Sequence, residues 1–369
     1  MAHTILFTGA TGTVGQALVP LLASRNDNDV EAIFALVHKN DYSCPPEKVH
    51  PIPGDISIGP DLGITAEVKR QILDRVTVIV HAAADTRFSA SLDEARAVNL
   101  GGTKSVLAFA AICPRLKAVV ALSTVHVAGR RTGTILEEEL HHACGFANSY
   151  EQSKYESELL LREHMKDLPI SVLRLSTVLG RSTDGEVARL AAIHHALRLC
   201  YSSLAPMIPG VPESAVDLIA VDYVAAAVSH FATDGFQAGR TFHICGGEDV
   251  LTIEELLALI LETFLRYRPF WRKRMIEMPA IVDLPTFELF ARSVDEVGDN
   301  VLRNSVSIIR HFVPQLAYPK LFVDDGCLHS LQKAGISRPK IREFCPNVVR
   351  WLVESDWGNR KIGEEATGA

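Results

Sequence analysis

Short apolar runs alternate along the first half of the chain with segments whose apolar residues recur every three or four positions. Thr4–Thr8, Ala32–Val37, Val76–Ala82, Ala118–Leu122 and Ile170–Leu175 are near-continuous and rich in Val, Ile and Leu. Val14, Ala17, Leu18, Leu21 and Leu22 follow the first run at helical spacing. Strand-length runs without polar alternation predict strands covered on both faces, hence a parallel sheet between layers of helices. That is a doubly wound α/β architecture. After Gly180 the rhythm changes. Residues 186–201 predict a helix, 206–214 a Pro-rich loop, and 215–245 a return to strand, helix and strand. From Leu251 the pattern is mainly helical, with few strand signals across 283–322. The expected organisation is a sheet domain from 1–180 with 215–247, and a smaller, mainly helical substrate domain from 181–214 with 248–357. The polar segment 358–369 reads as a flexible tail.

The length, 369 residues, suits two domains. Apolar residues at 47% and charged residues at 22% exclude wholesale disorder. A net charge of -7 gives no global field that recruits nucleic acid, and 7% aromatic residues leave few stacking platforms. The seven cysteines contain no CxxC pair, so reduced thiols and a cytoplasmic location are expected. No signal peptide is expected at the N-terminus, and no apolar run approaches the ~20 residues that span a bilayer. His141–His142 and His194–His195 are adjacent pairs, unsuited to sharing one helical face, so no metal site is expected. Glu137–Glu139 reads as a solvated loop.

The strongest local signal is Thr8-Gly9-Ala10-Thr11-Gly12-Thr13-Val14-Gly15, which leaves a predicted strand and opens a predicted helix. Glycines there allow a tight turn and let backbone N–H groups approach a pyrophosphate at a helix N-terminus. The Gly-x-x-Gly-x-x-Gly spacing resembles that of the extended short-chain dehydrogenase/reductase family, whose sheet domain is a Rossmann fold. The second predicted strand ends in Val37-His38-Lys39, without the acidic residue that holds a ribose 2′-hydroxyl in NAD-binding folds. His38 and Lys39 can instead face a 2′-phosphate, so NADPH is expected over NADH.

Further stretches carry the resemblance. Gly54-Asp55-Ile56 is similar to a family element whose Asp caps the adenine amino group and whose next residue packs on the ring. His81-Ala82-Ala83-Ala84-Asp85 is similar to the element at the end of the fourth strand, where the cofactor backbone crosses close to the sheet. Tyr150 and Lys154 form Tyr-x-x-x-Lys, four apart and so on one helical face. A neighbouring ammonium favours phenolate, which is expected to lower the Tyr150 pKa. The resemblance makes Tyr150 the proton donor, Lys154 a ligand of the nicotinamide ribose, and Thr124 the hydroxyl that polarises the substrate carbonyl, with Ser123 packed behind. It places Asn99 in the helix supporting the site, and Leu175, Ser176, Thr177 and Val178 around the nicotinamide carboxamide. His126 is expected either to line the substrate pocket or simply to pack.

Three longer stretches, Asp85–Phe88 with Leu92–Asn99, Phe146–Glu158 and Val216–Ala225, resemble the branch that holds fatty acyl-CoA reductases and thioester reductase domains. That resemblance implies reduction of an acyl thioester, carried by coenzyme A or an acidic carrier protein, to an aldehyde and possibly on to an alcohol. The alternatives are a ketone or alcohol oxidoreductase or an epimerase of the same family, and, less favoured, a non-catalytic dinucleotide-binding regulator. Phe264–Arg274 holds five basic residues among five apolar or aromatic ones. It is expected to draw an anionic thioester carrier, with peripheral membrane contact as a second reading. The oligomeric state is not legible in the sequence.

Overall fold

The computed structural model describes residues 2–26, 28–38, 42, 46–141, 143–267, 278–297 and 300–360. Its centre is a seven-stranded sheet. The strands are β1 (His3–Thr8), β2 (Val30–Val37), β3 (Val49–Pro53), β4 (Val78–His81), β5 (Ala118–Thr124), β6 (Ile170–Leu175) and β7 (Thr241–Ile244). Their spatial order is β7-β6-β5-β4-β1-β2-β3, and every neighbouring pair is parallel. The order reverses at β1, so a crevice opens between the carboxyl ends of β1 and β4, where open α/β sheets bind ligands.

The helices are α1 (Thr13–Ala23), α2 (Ala66–Leu73), α3 (Leu92–Ala111), α4 (Ser149–His164), α5 (Ala192–Tyr201), α6 (Val221–Ala232), α7 (Ile253–Tyr267), α8 (Leu284–Val297), α9 (Asn300–Ala317), α10 (Asp325–Lys333) and α11 (Ile341–Glu354). Side chains of one strand alternate between the sheet faces. Ile5, Phe7, Val78 and Val80 meet Leu18, Val19 and Leu22 of α1 and Val224 and Val228 of α6. Leu6, Ile79, Val119 and Ala121 meet Ile72 of α2, Val106 and Phe109 of α3 and Leu161 of α4. The first of these cores runs on without a break into Phe264 of α7, Phe287 of α8 and Phe344 of α11, so the C-terminal helices share the apolar interior of the sheet.

The sequence reading differs from the fold in four places. β3 has no strand signature because Pro51 and Pro53 interrupt it; it survives because it is an edge strand, where a missing N–H costs no ladder bond. The helix expected from 186 begins at Ala192, where the Ala191 N–H donates to His194 Nδ1 at 2.8 Å and fixes the start. Within 206–214, Met207–Pro209 forms a short strand that pairs with Ala280–Val282. Lys320–Phe322 pairs in parallel with Gly133–Ile135, stitching the C-terminal part to the segment after β5. These pieces are three residues each, too short for periodicity to register. Among the described residues no helix is long and apolar enough to cross a membrane.

Candidate functional site

The glycine turn leaves β1 and enters α1. Gly9 has φ +82°, and a Cβ there would stand 2.6 Å from Ala83 N and 2.7 Å from the Ala82 carbonyl carbon. The turn therefore lies against the backbone leaving β4, and only a residue without a side chain fits. At Gly15 a Cβ would run into the Gly9 carbonyl. Gly12 differs: its backbone is extended, with φ -79° and ψ 171°, and a Cβ would come no closer than 3.3 Å to Gly9 O. Gly12 also caps α1 without a side chain, leaving the first N–H groups and the positive end of an 11-residue helix facing the crevice. Thr11, Thr13 and Val14 are half-buried around it. The turn fits a pyrophosphate.

Gly12→Val is consequently expected to abolish dinucleotide binding while leaving the thermal transition close to wild type. A Cβ there comes close to the Gly9 carbonyl oxygen without overlapping it, at 3.3 Å, whereas the branched side chain fills the approach to α1. Titration by cofactor fluorescence, with circular dichroism as the control, checks it; an unfolded variant would show that the turn is structural instead.

Thr8 faces inward. It is fully buried, accepts from Ala83 N–H at 3.2 Å and lies 2.9 Å from His81 Nδ1. His81 Nε2 is 3.2 Å from Thr103 Oγ1, which donates to the Asn99 carbonyl at 2.7 Å. That direction makes His81 Nε2–H the donor to Thr103 and the Thr8 hydroxyl the donor to His81 Nδ1. Burial pushes His81 down to about 3, so the imidazole is neutral, as the chain requires. Thr8 thus sets the spacing of the crossing at Ala82, Ala83 and Ala84, all half-buried at the crevice.

At the adenine end the structure brings two candidates together: His38 Nε2 stands 3.1 Å from Asp55 Oδ2. Asp55 Oδ1 accepts from Ser57 N–H at 2.8 Å and from its hydroxyl at 2.7 Å. Ile56 is buried against α3, where only Gly102 leaves it room. Lys39 lies outside the described residues.

Thr124 ends β5, opposite Leu175 in the ladder, so residues 175–178 run beside it. Tyr150 stands in the first turn of α4, whose start is fixed by Asn148 accepting from Glu151 N–H at 2.9 Å. The Thr124 side chain is close enough to Tyr150 to act on its phenol. Lys154 is 6% exposed and donates from Nζ to the Leu122 carbonyl at 2.9 Å. The expected lowering of the Tyr150 pKa does not occur. Desolvation pushes the phenol up to about 12, the Thr124 side chain opposing it, while desolvation brings Lys154 down to about 8 against the pull of Glu158. Burial dominates at Tyr150, and the Lys154 ammonium is directed at a carbonyl, so the phenol keeps its proton.

Asn99 is 2% exposed and holds others in place. Its Nδ2 donates to the Asp85 carbonyl at 3.0 Å and to Ser153 Oγ at 2.9 Å, and its Oδ1 accepts from Asp85 N–H at 2.8 Å. Ser176 is buried, donating to the Asp217 carbonyl at 2.9 Å; Thr177 and Val178 are half-buried, and Thr177 Oγ1 is 3.5 Å from His126 Nε2. His126, half-buried with its pKa driven down to about 3 by burial, is a neutral neighbour of this segment.

Beneath the site lies a buried charge cluster that sequence reading missed. Glu158, 0% exposed, accepts from Ser123 Oγ at 2.9 Å and from Arg174 Nη2 at 2.7 Å. Arg174 also donates to the Glu137 and Glu139 carbonyls and to His243 Nε2. Glu137 is not a solvated residue: it is 5% exposed and accepts from the backbone N–H groups of His243, Gly326 and Cys327. Its three bonds join β7 to the first turn of α10. Tyr150, Lys154 and Glu158 at four-residue steps on α4 were the available signal for the cluster. No group of metal-binding side chains occurs among the described residues. The basic stretch expected to draw a carrier lies largely outside them, at 268–274; Phe264, its first residue, is in the core and meets Tyr201 edge-on at 5.1 Å.

The NAD-binding family model described as Male sterility protein matches residues 43–228. A hybrid PKS-NRPS synthetase of an Acremonium species is 31% identical over 236 residues, covering 61% of this chain and 5% of that one. The alcohol-forming fatty acyl-CoA reductase of Simmondsia chinensis is 30% identical over 164 residues, covering 36% of this chain and 33% of that one. The chain spans at most 60% of the length of the first curated relatives it matches. Among solved structures, the terminal R domain from the myxalamid PKS-NRPS pathway superposes with a TM-score of 0.78 at 24% identity, covering 96% of this chain and 91% of that one. A nonribosomal peptide synthetase reductase domain from Mycobacterium tuberculosis gives 0.69 at 21% identity, covering 97% and 92%. Both show the same fold.

Proposed function

The chain belongs to the male sterility protein family of extended short-chain dehydrogenase/reductases, and on that footing we propose that it is an NADPH-dependent reductase of acyl thioesters carried by coenzyme A or a carrier protein. The observation that carries the reading is the Tyr150–Thr124 pair, a protonated phenol and a hydroxyl brought together at the end of β5, with Lys154 one helical turn further along α4. Relatives named as acyl-CoA reductases and as peptide and polyketide synthetases support the substrate class.

The turn at Gly9–Gly15 and the crossing at Ala82–Ala84 would hold the pyrophosphate, with Lys154 and residues 175–178 at the nicotinamide end. Bound there, the cofactor supplies a hydride. Tyr150 and Thr124 donate hydrogen bonds to the thioester oxygen as negative charge grows on it, the stage at which preorganised donors count most. The phenol, raised to about 12, keeps its proton until a strong base needs it. That suits protonation of an oxyanion. Lys154 offers a positive charge behind the pair and stabilises the tyrosinate left after transfer. Collapse of the tetrahedral adduct then breaks the carbon–sulfur bond, releasing aldehyde and thiol. On the cofactor side, the absence of an acidic residue at the end of β2, together with His38 there, favours NADPH.

The test is cofactor oxidation with a panel of acyl-CoA and acyl-carrier thioesters, products identified by mass. NADPH consumption with one aldehyde or alcohol formed per substrate is expected, and NADH should be the poorer donor. Interconversion of sugar nucleotides without net cofactor turnover would replace this reading by an epimerase.

A further inference from the structure

The loop between β4 and α3 is tied down around Tyr150 from three directions. Asn99 grips the backbone of Asp85 on both sides and reaches Ser153 on α4. Arg87 folds back onto the Asp85 carboxylate, with Nε at 3.0 Å and Nη2 at 2.6 Å. Ser149, immediately before Tyr150, donates to the Ala90 carbonyl at 2.7 Å. Between these ties stands Phe88, half-buried, its ring meeting the Tyr150 ring edge-on with centroids 5.4 Å apart and planes at 72°.

A phenol at the mouth of a crevice can turn about two side-chain bonds, yet it serves as a donor only while its hydroxyl stays beside Thr124. The cap at Asn148 fixes the backbone around Tyr150 and involves no atom of its ring. Edge-to-face packing restricts ring orientation and shields the ring from water. Such packing is useful only if the partner is itself immobile, and the bonds at Asp85 and Ala90 give a surface loop that immobility. We propose that Phe88 is a positioning residue: its ring holds the Tyr150 hydroxyl against Thr124 and keeps water from it. The desolvation that raises the phenol to about 12 fits a ring covered in this way.

The turnover part of the test rests on the thioester-reductase reading; the spectroscopic part does not. In Phe88→Ala, kcat is expected to fall about 10- to 100-fold, the scale on which misplacing a reacting group costs rate, with the KM for NADPH unchanged. The Tyr150 ring, followed by carbon-13 NMR of labelled tyrosine and assigned by the signal lost in Tyr150→Phe, should titrate at lower pH as water reaches it. Phe88→Leu keeps apolar bulk without the edge contact and should show the same changes in smaller measure. Phe88→Tyr restores a ring and should recover most of both. If Phe88→Ala fails to fold, Phe88→Leu carries the comparison. Unchanged kcat together with an unchanged Tyr150 titration in a folded variant overturns the proposal. If no thioester is turned over at all, the titration alone decides it.

Discussion

Tyr150→Phe is expected to lower thioester turnover by about 100- to 10,000-fold, the range associated with a positioned proton donor, with NADPH affinity close to wild type. The substitution removes one oxygen and keeps the ring that packs on Phe88. The site therefore keeps its shape and loses only the donor nearest Thr124. The pH profile carries a second expectation. A phenol raised to about 12 stays protonated through pH 10, so Tyr150 should give the wild-type enzyme no alkaline limb near 10. Lys154, brought down to about 8, loses its positive charge first, and activity should fall as pH rises through that value. The residual activity of Tyr150→Phe should fall over the same window, because Lys154 is untouched. Single-turnover cofactor oxidation across pH 6–10 measures both. Near-wild-type turnover in Tyr150→Phe would rule out the assigned chemistry.

The elements legible in the sequence are those made by long patterns of one kind. The near-continuous runs that became β1, β2, β4, β5 and β6 are buried on both faces, and the glycine turn lies where strand passes to helix. What escaped depends on partners far away in the chain. Glu137 looks like part of an acidic loop, and only the fold brings it the N–H groups of residues 243, 326 and 327. The direction of the Tyr150 pKa shift escapes the sequence for a related reason. Spacing on a helix reports which groups are neighbours, while the balance between attraction and desolvation depends on how deeply the fold buries them. Asn99 shows the same limit. A motif position marks it as part of the site, but its bonds to Asp85 and Ser153 make it a clamp between two segments.

Glu158→Ala should destabilise the protein by about 3–5 kcal/mol, a large part of the 5–15 kcal/mol that holds a typical domain folded. Arg174 is 1% exposed and would keep two carbonyls and His243 as partners while losing its one charged acceptor. An unpaired buried charge is the costly outcome; removing both charges is not. The double variant Glu158→Leu with Arg174→Met should therefore be more stable than Glu158→Ala. Denaturant melts of the single and double variants measure this, and a loss below about 1 kcal/mol in Glu158→Ala would show the cluster to be dispensable. The cluster also reaches the chemistry. Ser123, bonded to Glu158, is the residue before Thr124, and the carboxylate of Glu158 opposes the fall of the Lys154 pKa. Without that negative charge Lys154 gives up its proton at lower pH, so whatever activity the folded fraction keeps should lose its alkaline limb below about 8. A limb shifted upward would mean that Glu158 acts on Lys154 through something other than its charge.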